Sequence, residues 1–166
     1  MSPEALQWIE KLQLIGHIEG GFYRKVYHSA LSLKKEQLPA GFSADLPICT
    51  HIYFLLDKEG FSAIHRIKSD ELWHFYAGDP LIIYEIDAGG HLIEHCLGSD
   101  GEQKNHFSWI RSGSWFGARV KEGGNYALVG CTVSPGFDYA DFELGKQEDL
   151  AAAFPQHQAL IRSLTR

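Results

Sequence analysis

From Cys49 to Pro135 the chain is a succession of short runs rich in β-branched and aromatic residues, cut apart by glycines and polar turns. This rhythm constrains the fold more than any other feature. CTHIYFLL, SAIHRI, ELWHFYAG, PLIIYEID, HLIEHCLG, NHFSWIRSG, SWFGARV and YALVGCTVSP each read as a strand. The breaks between them include Asp57-Lys58-Glu59-Gly60, Lys68-Ser69-Asp70, Ala88-Gly89-Gly90, the polar turn at residues 98 to 104, Gly113 and Glu122-Gly123-Gly124. About eight short strands at hairpin spacing predict an antiparallel sandwich or jelly roll, closed to hide its edges. The two runs flanking Ala88-Gly89-Gly90 read as a hairpin.

Helices are expected only at the ends. Ser2-Pro3-Glu4 supplies a capping hydroxyl, a proline for the first helical position and an acid for the first turn. Leu6, Ile9 and Leu12, with Ala5 and Trp8 beside them, then predict a short helix lying on the body of the protein. Gly20-Gly21 ends that region, and Glu19 beside them reads as an exposed acid in a turn. In the strand FYRKVYH that follows, Phe22, Arg24 and Val26 share one face and Tyr23, Lys25 and Tyr27 the other. Residues 31 to 47 read as the longest irregular loop. The tail KQEDLAAAFPQHQALIRSLTR predicts one helix interrupted at Pro155, with Leu160, Ile161 and Leu164 apolar. With no repeat or linker, residues 1 to 166 are expected to form one domain.

Composition excludes several roles. A net charge of −6 with no block of Lys or Arg argues against nucleic acid as a partner. Cys49, Cys96 and Cys131 are an odd number without close spacing, and read as reduced, packed residues. No apolar run has the length of a membrane span, and the acidic amphipathic N-terminus is unlike a signal peptide, so the expected location is the cytoplasm, away from membranes.

The stretch GFSAIHRIKSDELWHFYAG, Gly60 to Gly78, concentrates chemistry: two histidines, acids, an arginine and aromatics around a polar turn. It reads as a hairpin or a corner between two strands. Alternation puts His65 and Ile67 on one face with Arg66 on the other, and separates Glu71, Trp73 and Phe75 from Leu72, His74 and Tyr76. His65 and Glu71 can then meet across a common face.

The same stretch resembles the first motif of the cupin superfamily, small jelly-roll barrels, with Gly60, His65, Glu71 and Gly78 in the motif's places. HIEGGFYRKVYHS, THIYFLL, SAIHRIKSDELWHFYAGDPL and LVGCTVSPGFDYADFEL look like the signature runs of an uncharacterised branch often filed as cupin family five. The resemblance implies an all-β, cupin-type antiparallel jelly-roll barrel with a short N-terminal and a C-terminal helix, pairing as a homodimer. Metal-binding cupins also use a second histidine of the first motif and a third from a later one. Here those positions are Ile67 and Phe116, so no metal and no cofactor is expected.

What remains is an imidazole and a carboxyl facing an apolar interior. Apolar walls and a neighbouring carboxylate push a histidine in opposite directions, which leaves the pair able to move a proton near neutral pH. The expected catalytic set is His65 as base, Glu71 orienting it and Tyr53 as acid, with Tyr23, Arg24, Ile67, Trp73, Phe75, Tyr84 and Phe116 binding a small polar or carbohydrate-like molecule. Metal-free cupin-like sugar-nucleotide epimerases supply the analogy, one of fold alone. A non-catalytic binding barrel and a metal-dependent cupin enzyme with a rebuilt ligand set are the alternatives. Cys131 and His74 are expected to be structural, the latter on the outer face.

Overall fold

A computed structural model describes residues 1–99 and 104–166. Most of the polar turn expected at residues 98 to 104 therefore lies outside the described residues. The strands in chain order are β1 (Ile15–Gly16), β2 (Phe22–His28), β3 (Ser32–Leu33), β4 (Leu46–Pro47), β5 (Thr50–Asp57), β6 (Ser62–Ile67), β7 (Asp70–Gly78), β8 (Leu81–Ile86), β9 (Leu92–Ser99), β10 (Lys104–Asn105), β11 (Phe107–Ile110), β12 (Trp115–Val120), β13 (Tyr126–Ser134) and β14 (Phe142–Leu144). Two antiparallel six-stranded sheets result, ordered β1-β2-β5-β13-β7-β11 and β10-β9-β8-β12-β6-β14. Within the expected irregular loop, β3 and β4 form a small ribbon of their own.

Alternation along the strands builds the core between the sheets. Phe54 and Leu56 of β5, Trp73 of β7 and Val129 of β13 meet Ile67, Leu81, Ile83, Phe116 and Ala118 from the facing sheet. Truncating an aromatic as deeply buried as Trp73 or Phe116 costs on the order of 3–5 kcal/mol. The expected hairpin is present, with Ile86 opposite Leu92 and Leu81 opposite Leu97. The stretch from Gly60 to Gly78 is a corner: β6 pairs with β12 and β14, whereas β7 pairs with β13 and β11. His65 and Glu71 consequently belong to different sheets.

The helices cover the outer faces. In α1 (Pro3–Leu12) the Ser2 hydroxyl accepts the Ala5 N–H at 3.2 Å, satisfying an end donor. Its buried face is Ala5, Trp8, Ile9 and Leu12, set against Leu55 and Leu128 of the first sheet, while Leu6 is exposed. Pro155 divides the tail into α2 (Gln147–Ala153) and α3 (Gln158–Ser163), which seat Leu150, Ile161 and Leu164 against Ile64 and Ile86 of the second sheet. Among the described residues no helix is long and apolar enough to cross a membrane.

Candidate functional site

A cavity of about 190 Å³, opening to solvent, lies between the sheets where β2, β5, β7 and β13 present their inward residues to β6. Two connecting segments complete it. The turn between α1 and β2 brings His17 and Glu19, and the segment after β13 brings Phe137, Asp138 and Tyr139. That second segment is held down where the Phe137 N–H donates to Thr50 Oγ1 at 3.0 Å.

His65 is the most constrained polar group of the cavity, with 2% of its surface exposed. Its ring lies between Phe116, at 4.2 Å between centroids, and Phe142, at 5.3 Å. Nδ1 is 2.8 Å from the Ala63 carbonyl oxygen, which can only accept, so Nδ1 carries a hydrogen and donates it. The working edge is therefore Nε2, which faces Glu19 Oε2 at 3.3 Å. Imidazole and carboxyl stand there as a close acid–base pair, at ion-pair distance but without the alignment of a hydrogen bond. Glu19 is fixed in turn by the Ser62 hydroxyl, which donates to Oε1 at 3.0 Å.

Glu19 overturns the expectation of an exposed acid, being only 7% exposed. Its turn docks onto the start of β6, where the Ala63 N–H donates to the Glu19 carbonyl at 2.8 Å. The backbone N–H of Glu19 donates to Nδ1 of His17 at 3.4 Å, which leaves the His17 hydrogen on Nε2. Burial lowers the pKa of His17; the Glu19 charge opposes this and His65 adds to it.

Glu71 enters from β7, buried and without a cationic hydrogen-bond partner among the described residues. Burial, followed by the charge of Glu19, raises it to about 8, and a hydrogen bond with the Cys131 thiol offsets part of this. Cys131 is thus more than packing, since it lines the cavity beside Glu71 and burial raises its own pKa. At the mouth, Tyr139 is pushed up to about 12 by burial first and by its hydrogen bond with Tyr23 second. The His17 ring packs edge-on to Tyr23, 4.5 Å between centroids.

Of the residues singled out from the sequence, His65, Glu71 and Tyr23 line this cavity. Tyr53 does not: on β5 the cavity side carries Thr50 and Ile52, and Tyr53 lies on the outer face, with its ring 5.8 Å from that of Tyr76. Arg24 also points away, donating to the Leu12 carbonyl and the Gln13 side chain. Ile67, Trp73, Phe75 and Phe116 belong to the core between the sheets, and Tyr84 packs under the C-terminal helices. His74 is on the outer face as expected, facing Thr132 Oγ1 at 3.2 Å. His17, Glu19, Lys25, Phe137, Asp138 and Tyr139 had no local signal beyond the alternation that pairs Lys25 with Tyr23.

A cupin-type metal does not fit these residues. The two remaining ligand positions hold Ile67 and Phe116, both buried in the apolar core, and Phe116 stands directly against His65. Among the described residues no group of three or more His, Cys, Asp or Glu is arranged to hold a metal ion.

Known proteins share this architecture. The family described as Cupin superfamily (DUF985) matches residues 6–145. A solved structure of protein SO0799 from Shewanella oneidensis is 38% identical, covers 96% of both chains and superposes with a TM-score of 0.85. A hypothetical protein from Leishmania major is 35% identical with a TM-score of 0.87, covering 97% of this chain and 98% of its own. The uncharacterised protein YML079W of Saccharomyces cerevisiae is 26% identical over 160 residues, which is 89% of this chain and 78% of the yeast protein. With the match covering most of its length and the two sheets arranged as described, this chain belongs to the DUF985 family of the cupin superfamily.

Proposed function

We propose that the cavity binds a small, uncharged, carbohydrate-like molecule and that His65 exchanges a proton with it, in metal-free chemistry of the isomerase or epimerase type. The observation that carries this reading is the charge balance of the cavity floor. Glu19 and His65 stand 3.3 Å apart as an acid–base pair in which the charge of one offsets that of the other. Glu71, raised to about 8, keeps its own proton at neutral pH, and burial keeps His17 uncharged. Lys25 and Asp138 at the exposed rim also offset each other. Such a floor offers donors and acceptors without attracting an ion. Tyr23, Phe137 and Tyr139 add aromatic faces for a sugar ring.

The test is solvent deuterium exchange into a panel of keto-sugars, followed by NMR, beside a thermal-shift screen of the same panel. Wild-type protein is expected to bind at least one member and to catalyse exchange next to its carbonyl, and His65→Gln to lose exchange by about 100-fold. Binding without exchange would leave a non-catalytic binding protein, and exchange by His65→Gln at the wild-type rate would remove His65 from the chemistry.

The protein is further proposed to pair as a homodimer through the outer face of the first sheet. Tyr27, Tyr76, Phe107 and Trp109 are exposed there, around a polar centre in which Thr132 Oγ1 meets His51 Nδ1 at 2.7 Å. Aromatic side chains exposed together in this way suit a protein interface.

A further inference from the structure

We infer that Glu71 is a catalytic base of this cavity, working across it from His65 on a neutral α-hydroxycarbonyl, the open-chain form of a keto- or aldo-sugar. The inference rests on the proton-handling reading of the cavity and assigns the group that must complete it. His65 reaches the cavity from one sheet and Glu71 from the other, so a molecule held between the sheets has an imidazole on one side and a carboxyl on the other.

The hydrogen bonds of His65 decide which of the two takes a proton first. Nδ1 donates to the Ala63 carbonyl, and Nε2 stands 3.3 Å from the Glu19 carboxyl. With a proton on Nε2, opposite that carboxylate, the ring can donate but has no lone pair with which to accept. His17 is also spoken for, because its Nδ1 accepts the Glu19 N–H. Of the carboxyls in the cavity, Asp138 is at the exposed rim and Glu19 is engaged by the Ser62 hydroxyl and the His65 ring. That leaves Glu71, buried beside the Cys131 thiol and with no cation bonded to it among the described residues. A carboxylate withdrawn from water without a counter-ion is a stronger base than the same group in solution, and the rise to about 8 expresses this. A carboxylate base opposite an imidazole electrophile is an established solution to enolisation.

In the step, which draws on the share of Glu71 that is ionised near pH 8, the carboxylate removes the proton from the carbon that bears the hydroxyl. The C–H electron pair becomes the double bond of an enediol, and the carbonyl oxygen takes the Nε2 proton of His65. The Glu71 carboxyl then returns its proton to either carbon while the imidazole recovers one from a hydroxyl. Both groups end as they began, and the sugar has been isomerised or epimerised without oxidant or cofactor.

The experiment uses dihydroxyacetone, erythrulose and fructose as probes in deuterated buffer near pH 8, with exchange at the carbon next to the carbonyl read by NMR and binding read by thermal shift. Wild type is expected to accelerate exchange. Glu71→Gln is expected to lose about 100-fold or more while its ligand-induced thermal shift is unchanged, and Glu71→Asp to recover part of the rate. Exchange by Glu71→Gln at the wild-type rate would overturn the role of Glu71 and leave the cavity reading standing. Wild-type exchange no faster than buffer on every probe would overturn that reading itself. Faster exchange into dihydroxyacetone phosphate than into dihydroxyacetone would overturn the neutral substrate class.

Discussion

Burial lifts Glu71 from the ordinary 4.5 to about 8, so the folded chain keeps a proton that the unfolded chain releases at lower pH. Between those values the unfolded state binds fewer protons, and stability falls as pH rises until about 8, where the loss is complete. Its size is on the order of 5 kcal/mol. Glu71→Gln removes the titrating group, so its melting temperature should be nearly flat across a window in which the wild-type value falls. An equally steep fall in the variant would assign the effect to another residue. Glu19 is the other decisive side chain. Glu19→Ala leaves the His65 Nε2 edge and the Ser62 hydroxyl unpartnered in a buried place, which is expected to cost about 3 kcal/mol in urea unfolding. His65, Glu71 and Tyr23 were legible because strand alternation and a family motif point at them. Glu19 was not, since Glu-Gly-Gly has the composition of an exposed turn, and its burial comes from Ser62 and His65, more than forty positions along the chain. Tyr53 and Arg24 were readable with the same alternation. Ile52 and Phe54 fix the inner face of β5 and Tyr23 that of β2, which sends both residues outward.

At the scale of elements, the turn before β2 governs the site. Gly20 has φ +111°, and a Cβ there would meet the Phe61 carbonyl and the Arg166 guanidinium. Gly20→Ala is therefore expected to cost about 2 kcal/mol and to abolish ligand binding by unseating Glu19, although no cavity side chain has been replaced. Normal binding with reduced stability would show that the turn does not position Glu19. A second device ties the two sheets together away from the cavity. His95 of β9 bonds Glu85 of β8 through Nε2 at 2.8 Å, and its Nδ1 meets the Ser108 hydroxyl of β11 at 3.0 Å. Glu85 can only accept when ionised, so Nε2 donates and Ser108 donates to Nδ1, which spans the sheets with a satisfied polar chain. Ser108→Ala should cost about 1 kcal/mol. The hairpin of β8 and β9 was legible from its glycine turn, and the capped helix α1 from Ser2-Pro3. The corner between β6 and β7 was open from the sequence, because a three-residue polar turn serves a hairpin or a change of sheet equally well, and long-range pairing with β13 and β14 decides.

For the whole molecule, family and jelly-roll architecture followed from strand rhythm and motif together, whereas the composition of the cavity depended on which distant segments the fold brings to one end. If the aromatic outer face joins two copies, Trp109→Lys should convert a dimer to a monomer by light scattering with its circular dichroism unchanged, and a wild-type monomer would contradict the proposal. The central claim concerns the cavity between the sheets, where an imidazole has its Nδ1 hydrogen committed to the backbone and its Nε2 facing the Glu19 carboxyl at 3.3 Å. Nitrogen-15 NMR of the His65 ring measures this directly. Near neutral pH the Nε2 resonance is predicted to lie away from the position of a free lone pair, and to move toward it in Glu19→Gln, with Nδ1 protonated throughout. An Nε2 resonance at the free lone-pair position in the wild type, unmoved by Glu19→Gln, would contradict the account.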